Sequence, residues 1–324
     1  MESSFQGGAK ISTTMQVISP YTTTQLKQNV ATIGFFDGVH VGHRFLIDQV
    51  RSEARRMGLA TALITFRIHP RKVMNSEYRP LLLNTPDEKQ TLLEQTEVDY
   101  CVMMEFTRQL SELSAKEFMT LLRDRYRVAC LVIGYDHRFG HNRSEGFEDY
   151  CRYGEELGIQ VIQATAYTDH ESNVSSSLVR SALQRGEVDA AARYLGYPYF
   201  VEGTVVGGRQ NGRKIGFPTA NIRVSDPDKL IPQNGVYAVT AVVNGERRGG
   251  MLNIGVRPTF HNGNDRSLEV HLFDFEGDVY GLPITIYFHR FVRSEQKFAD
   301  IDTLTRQLEA DASAIRDILK EIDL

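Results

Sequence analysis

Two histidines three residues apart follow a glycine-rich turn in the stretch Gly34-Phe35-Phe36-Asp37-Gly38-Val39-His40-Val41-Gly42-His43. Glycines at 34, 38 and 42 let the backbone turn tightly and approach a ligand with no Cβ in the way. A helix opening near Gly42 aims free N–H groups and the positive end of its dipole at a bound phosphate. At that helix start His40 and His43 share one face. Imidazole donates hydrogen bonds to phosphate oxygens whether neutral or charged near pH 7, which suits attack at a nucleotide's α-phosphorus. The plain alternative is a pair of surface histidines beside a loop, and the strand and glycine turn ahead of them favour the phosphate site.

A second polar pair lies in Gly216-Phe217-Pro218-Thr219-Ala220-Asn221. The Thr219 hydroxyl and Asn221 carbonyl are hard oxygen ligands, suited to a Mg²⁺ that also bridges nucleotide phosphates. By composition alone the segment reads as a turn. The preceding Gly207-Gly208-Arg209-Gln210-Asn211-Gly212-Arg213-Lys214 has the outline of a P-loop but fails as one. Arg213 stands where lysine is required and Lys214 where serine or threonine is required. It reads as a flap whose Gly207 and Arg213 reach phosphates, or as an ordinary hairpin loop. Glu269 sits among alternating apolar residues, where an unpaired carboxylate is costly; alone it reads as a salt-bridged structural residue.

The elements that must position these residues fall into two kinds. Residues 30–35, 60–66, 100–104, 128–134 and 159–164 read as strands alternating with helical patterns. The helix over 42–57 carries Leu46, Val50, Ala54 and Met57 on one face, with Gly58 as its stop. Thr85-Pro86-Asp87-Glu88 and Ser114-Ala115-Lys116-Glu117 are helix starts with capping-box spacing. Such alternation predicts an α/β unit, a parallel sheet with helices on both faces. After Gly186 a short helix through Ala190, Ala191 and Leu195 precedes strands at 199–206, 236–243, 249–254, 268–273 and 284–291. Asn244-Gly245 is a hairpin turn. This half predicts an antiparallel β-barrel, closed off by a C-terminal helix through Leu304, Leu308, Ile315 and Leu319. The expected domains are 1–186 and 187–324.

Composition narrows the class. A length of 324 residues favours two domains, and 41% hydrophobic with 24% charged content is that of a globular chain. A net charge of −4 offers no basic field, so no nucleic-acid partner is expected. No apolar run spans a bilayer and no secretory signal opens the chain, so no membrane association and a cytoplasmic location are expected. Cys101, Cys130 and Cys151 form no CxxC and read as structural thiols.

Further segments in order carry a resemblance: Thr65-Phe66-Arg67-Ile68-His69-Pro70, Gly134-Tyr135-Asp136-His137-Arg138-Phe139-Gly140 and Val174-Ser175-Ser176-Ser177-Leu178-Val179-Arg180. With the His-x-Gly-His stretch they resemble the HxGH nucleotidylyltransferase superfamily, and within it the bacterial bifunctional riboflavin kinase/FAD synthetases. In the second half, Gly203-Thr204-Val205-Val206-Gly207, the 217–222 segment, Ile231-Pro232 with Gly235-Val236-Tyr237, the run 253–259, Glu269-Val270-His271-Leu272-Phe273, Tyr280-Gly281 and the run 291–298 are similar to the riboflavin kinase signature. The likeness spans about residues 15 to 320. The family usually has Asn or Thr where Phe35 stands, Phe at His137 and Thr at Ser177.

The resemblance implies a Rossmann-like nucleotidylyltransferase domain followed by a barrel kinase domain, with ATP as co-substrate, Mg²⁺, and flavins as substrate and product. It implies that FMN phosphate attacks the α-phosphorus of ATP at His40 and His43. Gly34, Asp37, Gly42, Ser176, Ser177 and Arg180 would hold phosphates there, and His69 and Asp136 the flavin. It makes Thr219 and Asn221 metal ligands, Gly207 and Arg213 phosphate contacts, Arg293 a flavin contact and Glu269 the general base for riboflavin phosphorylation. A kinase with one surviving activity and a non-catalytic flavin-binding regulator are the rival readings. The expected state is a monomer or weak homo-oligomer.

Overall fold

The structure, a computed structural model, describes residues 14–322 other than 24, 136, 142–143, 168–173, 209–211, 213–214 and 257–265. The chain forms two compact units, Met1–Pro80 with Lys89–Thr168, and Leu81–Glu88 with Asp169–Leu324.

In the first unit, strands β1 (Gln16–Ile18), β2 (Asn29–Ile33), β3 (Ala60–Phe66), β4 (Tyr100–Met104), β5 (Val128–Ile133) and β6 (Gln160–Gln163) build one sheet in the order β1-β4-β3-β2-β5-β6. Every pairing is parallel. The helices are α1 (Val41–Met57), α2 (Pro70–Met74), α3 (Pro86–Glu94, of which Lys89 onward belongs to this unit), α4 (Arg108–Glu112), α5 (Ala115–Tyr126) and α6 (Phe147–Leu157). All five residues of β2 are buried. Val30 packs with Val50 and Ala54 of α1, whereas Ala31 and Ile33 join the core containing Phe118, Met119 and Leu122 of α5. Successive side chains of a strand face opposite ways, so β2 is covered on both faces, as a parallel sheet requires.

Local chemistry fixes the ends of these elements. His40 caps α1 by accepting from the His43 N–H, and Gly58 stops it in the left-handed region at φ 65°. Ser114 and Glu117 form the reciprocal capping box of α5. The short edge strand β1 and helices α2, α4 and α6 are additions to the sequence expectation. In α6, Gly154 lowers helix propensity, yet a Cβ there would lie 2.5 Å from the Ile159 carbonyl oxygen, so packing requires it.

The second unit holds α7 (Ser176–Gln184), α8 (Val188–Leu195), β7 (Phe200–Val206), β8 (Ala220–Arg223), β9 (Gly235–Val243), β10 (Glu246–Val256), β11 (Arg266–Leu272), β12 (Pro283–Arg293) and α9 (Ile301–Lys320). The strands close into an antiparallel barrel, β10-β11-β8-β7-β12-β9. Asn244 and Gly245, both at positive φ, make the tight β9–β10 hairpin. Leu252, Val270, Ile286 and Phe288 of the barrel share one core with Val179, Leu183 and Leu195 of the preceding helices. Ile315 and Leu319 of α9 pack on Val236, Ala238, Met251 and Phe273. The segment read as a turn around Ala220 instead runs on as β8, which places Asn221 on a strand.

Leu81–Glu88 belongs to this unit through its hydrogen bonds. Leu82 donates to the Asp228 carbonyl and accepts from the Leu230 N–H. Glu88 and Lys229 form a fully buried ion pair at 2.6 Å. Lys229 also donates to the Leu83 carbonyl, and Glu88 accepts from the N–H groups of Thr85 and Glu202.

Candidate active sites

In the first unit the strand order reverses at β2, whose neighbours β3 and β5 carry the chain away in opposite directions. A crevice at the carboxyl ends of the strands is the expected consequence, and it is where ligands bind in open α/β sheets. The glycine turn leaves β2 at this point. Phe36 (φ 54°), Gly38 (φ 85°) and Val39 (φ 37°) all adopt positive φ within it. For a β-branched residue such as Val39 this costs of order 1–3 kcal/mol, a strain held by burial of Phe36 and Val39.

The turn delivers His40 and His43 face to face, with ring centroids 3.7 Å apart and planes at 17°. His40 is buried, as is Asp37. Phe36 packs edge-on to His43 at 5.2 Å. His43 Nδ1 has no hydrogen-bond partner among the described residues. Burial pushes the His43 imidazole well below its ordinary value, and the neighbouring His40 and Lys89 push the same way. His43 is therefore neutral at pH 7, a state in which an imidazole can still donate one hydrogen bond. Gly42 lies in the first turn of α1, and the N–H groups of that turn face out of the helix end.

Around the turn, Phe35 packs edge-on to His69 at 4.7 Å, and His69 lies 5.6 Å from Tyr78. His69 caps α2 through Nδ1. These rings form an aromatic wall at the ends of β2 and β3, where a flat heterocycle can stack.

In the second unit the barrel register brings the predicted residues together. Asn221 on β8 pairs directly with Glu269 on β11, and Glu269 pairs on its other side with Asn253 of β10. Residues opposite one another in adjacent strands share a face, so all three project from the same side of the barrel wall. The barrel interior takes the alternate set, Leu268, Val270 and Leu272. His271 Nδ1 donates to the Pro218 carbonyl at 2.8 Å, and Phe217 packs edge-on to His271 at 5.2 Å, pinning the segment that carries Thr219. Gly208 is drawn so close that a Cβ there would lie 2.1 Å from Asn221 Nδ2. A cavity of about 840 Å³ opens beside Asn221, lined also by Arg223, Asp226, Lys229, Arg266 and Ser267.

Other predicted residues are placed as follows. Ser175 caps α7 by accepting from the Leu178 N–H, leaving Ser176 and Ser177 in its first turn; Arg180 donates to the Leu81 carbonyl. All of these lie in the second unit. Arg293 is bound by Asp311 of α9 at 2.7 Å, so its charge is already matched. Gly207 follows β7 directly. Asp136 and Arg213, along with Arg209, Lys214 and residues 257–259, lie outside the described residues. Among the described residues no cluster of three or more His, Cys, Asp or Glu could hold a metal ion, and no helix is long and apolar enough to cross a membrane.

Several residues at these sites were not singled out by sequence reasoning. Lys89 has its ammonium beneath the glycine turn, Asn253 and His271 flank Glu269, and Lys229 is buried against Glu88, which the sequence marked only as a helix-capping residue. Only Asn253 and His271 left a signal, as members of family-like segments. The two lysines sit in stretches that read as helix surface and loop.

Two family models match the chain, one described as FAD synthetase over residues 22–178 and one as riboflavin kinase over residues 195–319. A bifunctional riboflavin kinase/FMN adenylyltransferase of Listeria monocytogenes is 37% identical over 317 residues, covering 96% of this chain and 99% of that one. Its counterpart in Bacillus subtilis is 35% identical, covering 92% of this chain and 95% of that protein. The crystal structure of a protein named macrolide-efflux protein from Streptococcus pneumoniae is 30% identical with a TM-score of 0.85, covering 93% of this chain and 98% of that one. With both family models matched in order, and relatives aligned over nearly their whole length, the chain belongs to the family of bifunctional riboflavin kinase/FMN adenylyltransferases.

Proposed function

We propose that the chain makes FAD from riboflavin in two ATP-dependent steps, each on its own constellation. The 5′-hydroxyl of riboflavin attacks the γ-phosphorus of ATP, the bond from that phosphorus to the β-phosphate oxygen breaks, and FMN and ADP result. An alcohol is not ionised at pH 7, so the step needs a base, and Glu269 is assigned to take the proton. FMN phosphate then attacks the α-phosphorus of a second ATP, giving FAD and pyrophosphate. That nucleophile is already ionised, so positioning and charge stabilisation carry the step without a dedicated base.

His40, His43, Gly34, Asp37 and Gly42 are assigned to the ATP phosphates of the adenylyl transfer. Ser176, Ser177 and Arg180, at the start of α7, are proposed as further phosphate ligands. His69, on the aromatic wall, is assigned to flavin together with Asp136. In the kinase half, Gly207 and Arg213 are assigned to phosphate, with Arg293 a lesser flavin contact because Asp311 already balances it. Thr219 and Asn221 would hold Mg²⁺, and the close seat of Gly208 against Asn221 fits a site that only backbone can approach. When bound, the metal supplies positive charge to the ATP phosphates. The boundary between the halves is proposed at 186/187. Free thiols at Cys101, Cys130 and Cys151 support action in a reducing cytoplasm, as a monomer or weak homo-oligomer.

One observation carries this reading: the chain covers 99% of a bifunctional relative at 37% identity. The test is a time course of riboflavin, ATP and Mg²⁺ with purified protein, resolving riboflavin, FMN and FAD by chromatography. FMN followed by FAD is expected, with Glu269→Gln stopping FMN formation and His43→Ala stopping only FAD formation. FMN accumulating without FAD leaves a kinase alone, and folded protein that binds flavin without making either product refutes the enzyme reading.

A further inference from the structure

Lys89, on α3, carries a buried cation whose Nζ donates to three acceptors at the ends of two strands. These are the carbonyls of Phe35 at 3.1 Å and Phe66 at 2.8 Å, and the Thr65 hydroxyl at 3.4 Å. The same ammonium sits 4.1 Å above the Phe35 ring. Only 3% of the residue is exposed. Phe35 lies just beyond β2, at the start of the strained turn, and Phe66 is the last residue of β3. The β2–β3 pairing ends at Ile33 and Ile64, so Phe35 lies beyond it, while Thr65 and Phe66 are still paired with Met103 and Met104 of β4. Thr65 reinforces the arrangement by donating to the Phe35 carbonyl at 3.2 Å.

From this geometry, and resting on the adenylyl-transfer reading above, we propose that Lys89 is a positioning residue for FAD formation. It ties the Phe35 carbonyl to the end of β3 and so holds the phosphate turn, with His40 and His43, in its strained form. Its charge also contributes a fixed positive field beneath the site where ATP phosphates bind. Phe35 fits this role without the polar side chain common in the family, because the lysine engages its carbonyl and ring face.

The surroundings agree. Burial lowers the Lys89 ammonium to about 8, against the pull of the Asp37 carboxylate in the turn and the Cys101 thiol on β4. Its charge in turn helps keep His43 of α1 neutral. Glu94, on its own helix, bears on the Cys101 thiol. The cation is therefore present at pH 7 and lost as pH rises through about 8.

The test compares the full-length protein with Lys89→Met and Lys89→Arg. FMN formation, FAD formation and the His43 titration by NMR are each measured. In Lys89→Met, FAD formation is expected to fall at least about tenfold in kcat. Riboflavin phosphorylation should stay within about twofold, and His43 should titrate at higher pH. Lys89→Arg keeps the cation, so FAD formation should exceed that of Lys89→Met and its alkaline decline should move up by about one pH unit or more. FAD formation within about twofold of the parent in Lys89→Met overturns the proposal, as does an alkaline limb unmoved in Lys89→Arg. Equal loss of both activities in the two variants also overturns it, since that marks a folding role. If the parent itself makes no FAD, the adenylyl-transfer reading fails, while an unchanged His43 titration in Lys89→Met separately refutes the positive field of Lys89 at the turn.

Discussion

The imidazoles of His40 and His43 lie stacked with centroids 3.7 Å apart, so two positive charges cannot be accommodated there without strong repulsion. Burial is the larger cause of His43 neutrality and His40 the next. By NMR, His43 should show no titration between pH 6 and 8, and His40→Asn should raise its midpoint. The unfolded chain binds a proton on this residue near the ordinary histidine value of 6.5, whereas the folded chain does so only well below it. His43 therefore lowers stability progressively as pH falls below about 6.5, and denaturant unfolding at several acidic pH values measures that slope.

Lys229→Met should be the most destabilising of the single changes considered, by about 3–5 kcal/mol, because it strands the buried Glu88 carboxylate. Replacing both partners with methionine should recover much of the loss, since two desolvated charges vanish together. Chemical denaturation of the two variants against the parent gives both numbers, and a double variant no better than the single would contradict this account.

Gly208→Ala places a methyl group where Asn221 Nδ2 now sits, at 2.1 Å. Riboflavin phosphorylation should fall about tenfold or more, with FAD formation from supplied FMN within about twofold. Steady-state rates for the two steps, measured separately, check it.

Gly58→Ala isolates a backbone cost. The residue stops α1 at φ 65°, and a Cβ there meets nothing within 4 Å. The expected loss is about 1 kcal/mol from the left-handed conformation alone. It should be read as a lower denaturant midpoint with an unchanged m-value.

Much of the fold was legible because the signals are local. The apolar runs of β3 and β4 are found at the positions expected, and both capping boxes form, Ser114 with Glu117 and Thr85 with Glu88. The misses have physical reasons. β1 has three residues and β8 four, too few for a period-two pattern to emerge, and Pro218-Thr219 before β8 carries turn chemistry. The pairing of Asn221 with Glu269 is a matter of register across 48 residues of chain, which no local pattern encodes. Lys89 was illegible for another reason: a lysine on an amphipathic helix ordinarily faces water, and only the tertiary structure turns this one inward.

The strand order also bears on how the protein behaves at high concentration. A barrel closed upon itself presents no unpaired ladder, but the open sheet must end somewhere, and it ends on its two shortest strands. β1 offers three residues and β6 four, with Gln160 and Gln163 of β6 exposed. Such brief margins give a second molecule too little backbone to extend the sheet. Among the described residues, the sheet thus leaves little exposed ladder for edge-to-edge pairing.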